Sequence, residues 1–410
     1  MSSSNPPAYP QSPPYSPVPH PDETQLARAS IRTRRSRPTG IFTTSKNGIV
    51  LALRGQEDGA LIPSYGRNST ISGDIGLEST EDVVGVSVKL QGVLDLTVTG
   101  VASQDSIFLS KSSTIWEQAN SSAHAPSMLP FEVAIPQSHQ DAGSARPLPP
   151  TYAGVFPGVR DLHVKCCYTL TVYVTRSGLW KPRKSMSVQF AYQPRTRPHR
   201  PIISSPFPFS TTIRSHPEEW HQVSSTMRSR ADSGVKPIEC QLFIPAVRIY
   251  SITDTVPFYL QLCAPTASID AFLHPRPPPP SMFRLSKAAV AFDDSAQPTV
   301  TVSFMRQIEA VVGSHHAFRS FVIGEGTLRP VPPDVASSTT LVPPADGYQT
   351  LNWEGEIKCQ KNVTDVGFSD HVRLQLVPPS PKTSPLLEHE HLHTIRLVTD
   401  SFMEGREYDF

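Results

Sequence analysis

Two short runs in this chain carry residue types that could do chemistry. His389-Glu390-His391-Leu392-His393 satisfies the H-E-x-x-H expression, in which two imidazoles hold zinc and the glutamate serves as general base. That chemistry needs a helix, because only there do positions four apart put both rings on one face beside the carboxylate. Here Pro381 and Pro385 lie just upstream, and His393, Ile395 and Leu397 alternate with Thr394, Arg396 and Val398 as a strand would. On a strand His389, His391 and His393 share one side, which could hold a stray metal ion without building a hydrolase. A zinc hydrolase is kept as the remote alternative, and the expectation is no catalytic residue, no resident metal and no cofactor.

The second run is Pro6-Pro7-Ala8-Tyr9, which fits the P-P-x-Y pattern read by WW domains. Consecutive prolines preset a polyproline II helix and so lower the ordering cost of docking, while the tyrosine offers an aromatic anchor to a groove. Pro13-Pro14-Tyr15 lacks the spacer residue. Pro149-Pro150-Thr151-Tyr152 repeats the pattern just before a strand, where its tyrosine is expected to pack in or against a sheet. Pro6, Pro7 and Tyr9 are therefore the leading partner-binding residues, and Pro149, Pro150 and Tyr152 the weaker ones. The chain has no G-x-S-x-G elbow and no P-loop, and Gly324-Glu325-Gly326 lacks a third glycine at the dinucleotide-binding spacing.

The elements that must position these residues follow from composition and periodicity. Proline is the outlier: 43 of 410 residues, about twice ordinary usage, with 22 Gly an ordinary share. Lys plus Arg (37) against Asp plus Glu (36) leaves +1, which removes the bulk electrostatic case for nucleic acid as the main partner. Charged residues at 18% fall below the usual level of about 25%, against coiled coil and long solvated helices. Five cysteines form no C-x-x-C pair, and the polar, proline-rich start of the chain does not read as a signal peptide, so reduced thiols in the cytosol are expected. Even the apolar region 83–101 carries Lys89 and Asp95, so no transmembrane segment is expected.

From residue 84 to 98 apolar side chains occupy the even positions: Val84, Val86, Val88, Leu90, Gly92, Leu94, Leu96 and Val98. This period of two marks a half-buried strand, with Gly92 a bend or bulge. The alternation returns at 164–174, 186–192, 240–244, 256–262, 300–304, 372–376 and 393–397. Many short strands between Pro/Gly/Ser turns, with almost no helix, predict an all-β fold of two tandem antiparallel β-sandwiches. Residues 1–40 read as a disordered Pro/Ser/Arg-rich tail whose Arg32-Thr33-Arg34-Arg35-Ser36-Arg37 run is a solvated charge run, with an anionic-lipid contact, a nuclear address or a basic-directed kinase site at Ser36 as alternatives. Residues 41–198 form the first sandwich, 199–236 a Pro-rich connection, 237–402 the second sandwich and 403–410 a short tail. The stretches 264–281 and 330–346 read as surface loops of the second sandwich.

Several blocks together resemble the arrestin-like proteins, in particular the fungal arrestin-related branch. Ile62-Pro63-Ser64-Tyr65-Gly66-Arg67, Ile71-Ser72-Gly73-Asp74-Ile75 and the strand from Val84 are similar to that family's progression of N-terminal strands. Leu129-Pro130-Phe131-Glu132-Val133, Leu148-Pro149-Pro150-Thr151-Tyr152 with Cys167-Tyr168-Thr169-Leu170, and Tyr192-Gln193-Pro194-Arg195-Thr196-Arg197-Pro198 look like its next blocks. In the second half Val256-Pro257-Phe258-Tyr259-Leu260, Trp353-Glu354-Gly355-Glu356-Ile357 and Ile395-Arg396-Leu397-Val398-Thr399-Asp400 are similar to C-domain strands. The resemblance implies immunoglobulin-like arrestin sandwiches and a non-catalytic adaptor that links cytoplasmic segments of membrane-protein cargo to a WW-domain ubiquitin ligase or to endocytic machinery. It places the protein in the cytoplasm, at most peripheral to the plasma membrane or endosomes. The alternative is a trafficking-coat component with a constitutive partner and no ligase recruitment.

Overall fold

A computed structural model describes residues 38–118, 124–141, 143–177, 183–203, 208–274, 298–332 and 347–403. The leading motif, Pro6, Pro7 and Tyr9, lies outside them. The described residues are all-β, with two short helices.

Strands form where the period of two lets one face be buried. The first half contributes β1 (Gly40–Lys46), β2 (Ile49–Gln56), β3 (Ser64–Tyr65), β4 (Thr70–Leu77), β5 (Val83–Val98), β6 (Ala102–Glu117) and β7 (Met128–Ala134). It continues with β8 (Ser138–Asp141), β9 (Ser144–Pro147), β10 (Tyr152–Phe156), β11 (Leu162–Arg176) and β12 (Lys184–Tyr192). One sheet has the order β1-β2-β4-β7, and a second runs β3-β12-β11-β5-β6 with β10 on the free end of β11. Both sheets turn their alternating apolar side chains onto one core: Leu51, Ile71, Ile75 and Phe131 from the first meet Val88, Leu90, Tyr168, Leu170 and Phe190 from the second. Gly92 stands at a register shift of the β5–β6 ladder, and a Cβ there would lie 2.6 Å from the ring of Phe108. Only hydrogen fits at that point, which accounts for the glycine in an otherwise apolar series.

The second half begins earlier than its composition suggests. The stretch 199–236, expected as a connection, holds α1 (Phe209–Ser215), a 3-10 turn (Pro217–Glu219) and β13 (Trp220–Met227). It continues with β14 (Ile238–Pro245), β15 (Ile249–Ser251), β16 (Thr255–Pro265), α2 (Thr266–Leu273), β17 (Thr299–Val312), β18 (His315–Val331), β19 (Tyr348–Cys359), β20 (Ser369–Val377) and β21 (His389–Val398). Phe209 of α1 stacks on Tyr259 at 4.0 Å and meets the Trp220 ring edge-on at 4.9 Å, so an aromatic anchor, not a capping side chain, holds this short helix. Part of the expected loop 264–281 is likewise regular: α2 buries Ile269 and Phe272 against the core and bonds Ser268 Oγ to the Lys236 carbonyl at 2.8 Å.

The sheet of this half has nine strands in the order β13-β14-β16-β19-β18-β17-β20-β21-β15. It curls until β13 comes up against β21, and Leu242, Phe258, Leu260, Phe304, Ile357, Leu374 and Tyr250 fill the hollow. Several strands exceed the usual 3–10 residues: β5 has 16, β11 has 15 and β17 has 14. Their surplus forms a third core. Val98 and Leu162 extend β5 and β11 beyond the first core, Ile308, Ala310 and Val312 extend β17 beyond the second, and they meet around Phe156 and Ala317. Among the described residues no helix is long and apolar enough to cross a membrane.

Candidate functional site

Pro149-Pro150-Thr151-Tyr152 leads into β10 and is tied down on both sides. The Thr151 N–H donates to the Tyr192 carbonyl at 2.9 Å, and the Tyr192 N–H donates to Thr151 Oγ1 at 2.8 Å. The Pro149 carbonyl accepts the buried Tyr168 hydroxyl at 2.6 Å. The Tyr152 ring stacks on Phe156 at 6.2 Å and 10°, and meets Phe368 edge-on at 5.4 Å. Burial raises the pKa of its hydroxyl, Asp365 adds to the rise and Arg306 opposes it. The ring that a WW groove would grip is thus engaged within the molecule, where the two halves meet.

That junction is apolar with one charged pair at its margin. Phe156 bridges the halves, lying 5.9 Å from Phe321 and 6.4 Å from Phe368. Arg306 of β17 stands opposite Asp370 of β20 and bonds it twice, Nε to Oδ1 at 2.7 Å and Nη2 to Oδ2 at 3.2 Å. Nη2 also donates to the Asp365 carbonyl at 3.0 Å, and the guanidinium carbon lies 4.3 Å from the centre of the Phe368 ring. With side chains 6% and 0% exposed, the pair is dry. Its effect is to fix the loop that carries Phe368 against Tyr152. Sequence reasoning missed it, although a lone arginine in the apolar run 300–312 is the mark of a buried partner. Arg319 adds a second tie across the junction, from its Nη2 to the Arg160 carbonyl.

A further clasp joins the segment after β12 to the segment after β21. Arg195 forms a two-bond pair with Asp400, the Thr196 N–H donates to Thr399 Oγ1 at 2.8 Å, and the Asp400 N–H donates to the Thr196 carbonyl at 2.9 Å. Burial pushes the Asp400 carboxyl up, but hydrogen bonds from Arg195 and Thr399 and the charges of Arg195 and Arg197 outweigh it and hold the group below the ordinary carboxylate range.

The H-E-x-x-H run occupies β21, a strand. Pairing with β20 sets His389, His391 and His393 opposite Leu376, Leu374 and Val372, so all three imidazoles share the inner face. His389 Nε2 lies 2.9 Å from Ser225 Oγ, and the His393 ring packs 4.7 Å from that of His221. Glu390 points to the outer face, 3.8 Å from Arg373. Among the described residues no group of three or more His, Cys, Asp or Glu side chains is placed to hold a metal ion. The five cysteines are free: Cys166 and Cys240 are buried, while Cys167, Cys263 and Cys359 are half-buried.

A scan against protein-family models matches no family, and a search of curated proteins finds no match.

Proposed function

We propose that this chain is a non-catalytic adaptor of the arrestin-like kind, built from two tandem β-sandwiches and acting by contact with other proteins in the cytoplasm. One observation carries the reading: two separate hydrophobic cores, one between the sheets of the first half and one inside the curled sheet of the second, follow each other along the chain. The blocks on which the family resemblance rests support it further. Tyr192 to Pro198 and Ile395 to Asp400, far apart in sequence, meet in the Arg195–Asp400 clasp.

In this reading the sheet edges and loops hold a cytoplasmic segment of a membrane protein at the plasma membrane or endosomes. Pro6, Pro7 and Tyr9 dock a WW domain of a ubiquitin ligase, and transfer is accelerated by raised local concentration. The H-E-x-x-H chemistry is disfavoured because its imidazoles sit on a strand and face Ser225 and His221 across the sheet. The test is titration of labelled WW domains with the full chain. Wild type should bind and Tyr9→Ala should lose at least about tenfold in affinity, the loss of an aromatic anchor. Equal binding by both removes the tail from the mechanism.

A further inference from the structure

The nine-stranded sheet closes on itself along a join whose middle lacks a backbone ladder. At one end main chain meets main chain: the Leu387 N–H donates to Arg228 O at 2.9 Å, the Arg230 N–H donates to Pro385 O at 2.8 Å, and Ser229 bridges to Leu386. At the other end the Arg396 N–H donates to Arg248 O at 3.0 Å, beside the short parallel β15–β21 pairing. Between these ends β13 and β21 are not ladder neighbours, and they touch through Ser225 with His389 and through His221 with His393.

These side chains point inward. His221 and Ser225 stand opposite the buried Ile244 and Cys240, as the three histidines of β21 stand opposite buried Val372, Leu374 and Leu376. Imidazoles therefore fill positions that are aliphatic on both flanking strands. His393 Nε2 is buried without a hydrogen-bond partner among the described residues.

The charges around them offer a proton no compensation. Burial, then His221, Arg248, His391 and His371, push His393 down to about 4. Burial and Arg248 lower His221, and burial and His391 lower His389. His371, across from Thr394 on the outer face of β20, is lowered by burial and partly restored by Asp370. Asp370 is bound to Arg306, Glu390 faces Arg373 outside, and Glu239 of β14 stands opposite Thr226 on the outer face. Among the described residues no carboxylate is one of the groups that shift His221 or His393.

We propose that the β13–β21 join is a proton-operated latch, closed while His221, His389 and His393 are neutral and opened when protonation sets like charges face to face beside Arg248, which frees the edges of both strands. The direction follows from linkage: a histidine held below its ordinary value favours the closed state above that value, and the preference is lost as pH falls through it. With His393 at about 4 when closed and at the ordinary 6.5 when released, a step from about pH 7.5 to about pH 5 multiplies the opening equilibrium roughly 25-fold.

Hydrogen exchange on the full chain, with protection corrected for intrinsic rates, tests this. The Arg230 and Leu387 amides, whose bonds cross the join, should lose about 25-fold in protection across that pH step, while the amides of β5 and β11 keep theirs. His393→Leu, apolar like its flanking positions, should abolish most of the loss. The proposal is overturned if wild-type protection changes less than about threefold, if the first core loses as much, or if His393→Leu loses the wild-type factor. Should that variant fail to fold, an NMR titration of the wild-type imidazoles decides. His221 and His393 must titrate clearly below the ordinary range, and titration of both near about 6.5 overturns the latch.

Discussion

Removing Asp370 should be among the most damaging single changes in the second half. Among the described residues its carboxylate is the only acid bonded to the Arg306 side chain, and both side chains are almost wholly out of water, at 0% and 6% exposed. In Asp370→Ala the guanidinium keeps one bond, to the Asp365 carbonyl, and its contact with Phe368. A buried charge stripped of its partner costs about 3–5 kcal/mol. For a unit of about 150–250 residues, at about 2–4 °C per kcal/mol, the melting transition should fall by about 6–20 °C. The transition can be followed by the fluorescence of Trp353, which lies on β19 of the same sheet. The control is Arg306→Met with Asp370→Leu, which removes both charges and leaves apolar groups of similar size. It should be neutral or stabilising by about 1–4 kcal/mol, because the desolvation of both ions disappears with their attraction. The reasoning is refuted if Asp370→Ala costs under about 1 kcal/mol, or if the double variant is as unstable as the single one.

Three further outcomes follow from the same geometry. Gly92→Val should destabilise by about 1–3 kcal/mol in urea unfolding, because the new Cβ meets the Phe108 ring at 2.6 Å, and Phe108→Ala in the same chain should recover part of the loss. Burial pushes the Cys166 thiol up to about 12 and the Cys240 thiol up to about 11, so iodoacetamide at about pH 8 should label both only after denaturation, read by mass spectrometry. Asp400 has a lowered folded value, so its stabilisation is present above the ordinary carboxyl range and is lost as pH falls through the folded one. With Arg195 64% exposed, Asp400→Asn should cost less than about 1 kcal/mol near neutral pH, and urea midpoints of the two proteins should converge in acid.

The strands were legible wherever one face is apolar without interruption. The even-numbered series from Val84 gives β5, and its glycine marks the register shift, because a buried face and a missing side chain both leave their trace in sequence. Strand β13 was illegible for the converse reason. Its inward positions are His221, Val223, Ser225 and Met227, so polar residues sit where the pattern calls for apolar ones. Without β13 the partner of His393 could not be inferred, although the shared side of His389, His391 and His393 could. The short α2 escaped because eight residues hold too few turns to show a period. Arg306 and Asp370 are 64 residues apart, and nothing local links them.

The balance of forces at the junction bears on how the two halves can move against each other. The Arg195–Asp400 clasp is drawn as a two-bond ion pair, yet its arginine is largely in water, and such pairs contribute about 0–1 kcal/mol. The third core buries Val98, Phe156, Leu162, Ile308, Ala310, Val312 and Ala317, and larger side chains of this kind contribute about 1.5–3 kcal/mol each when fully buried. The apolar cluster, not the clasp, therefore sets the relative position of the two halves. Any swing of one half against the other would have to separate Phe156 from Phe321 and Phe368 and expose the ends of three long strands. Along its middle the join between β13 and β21 closes through a few polar side chains, and that stretch can part without separating Phe156 from Phe321 and Phe368. Conformational change in this fold should begin at the edge of the second sheet before it reaches the junction.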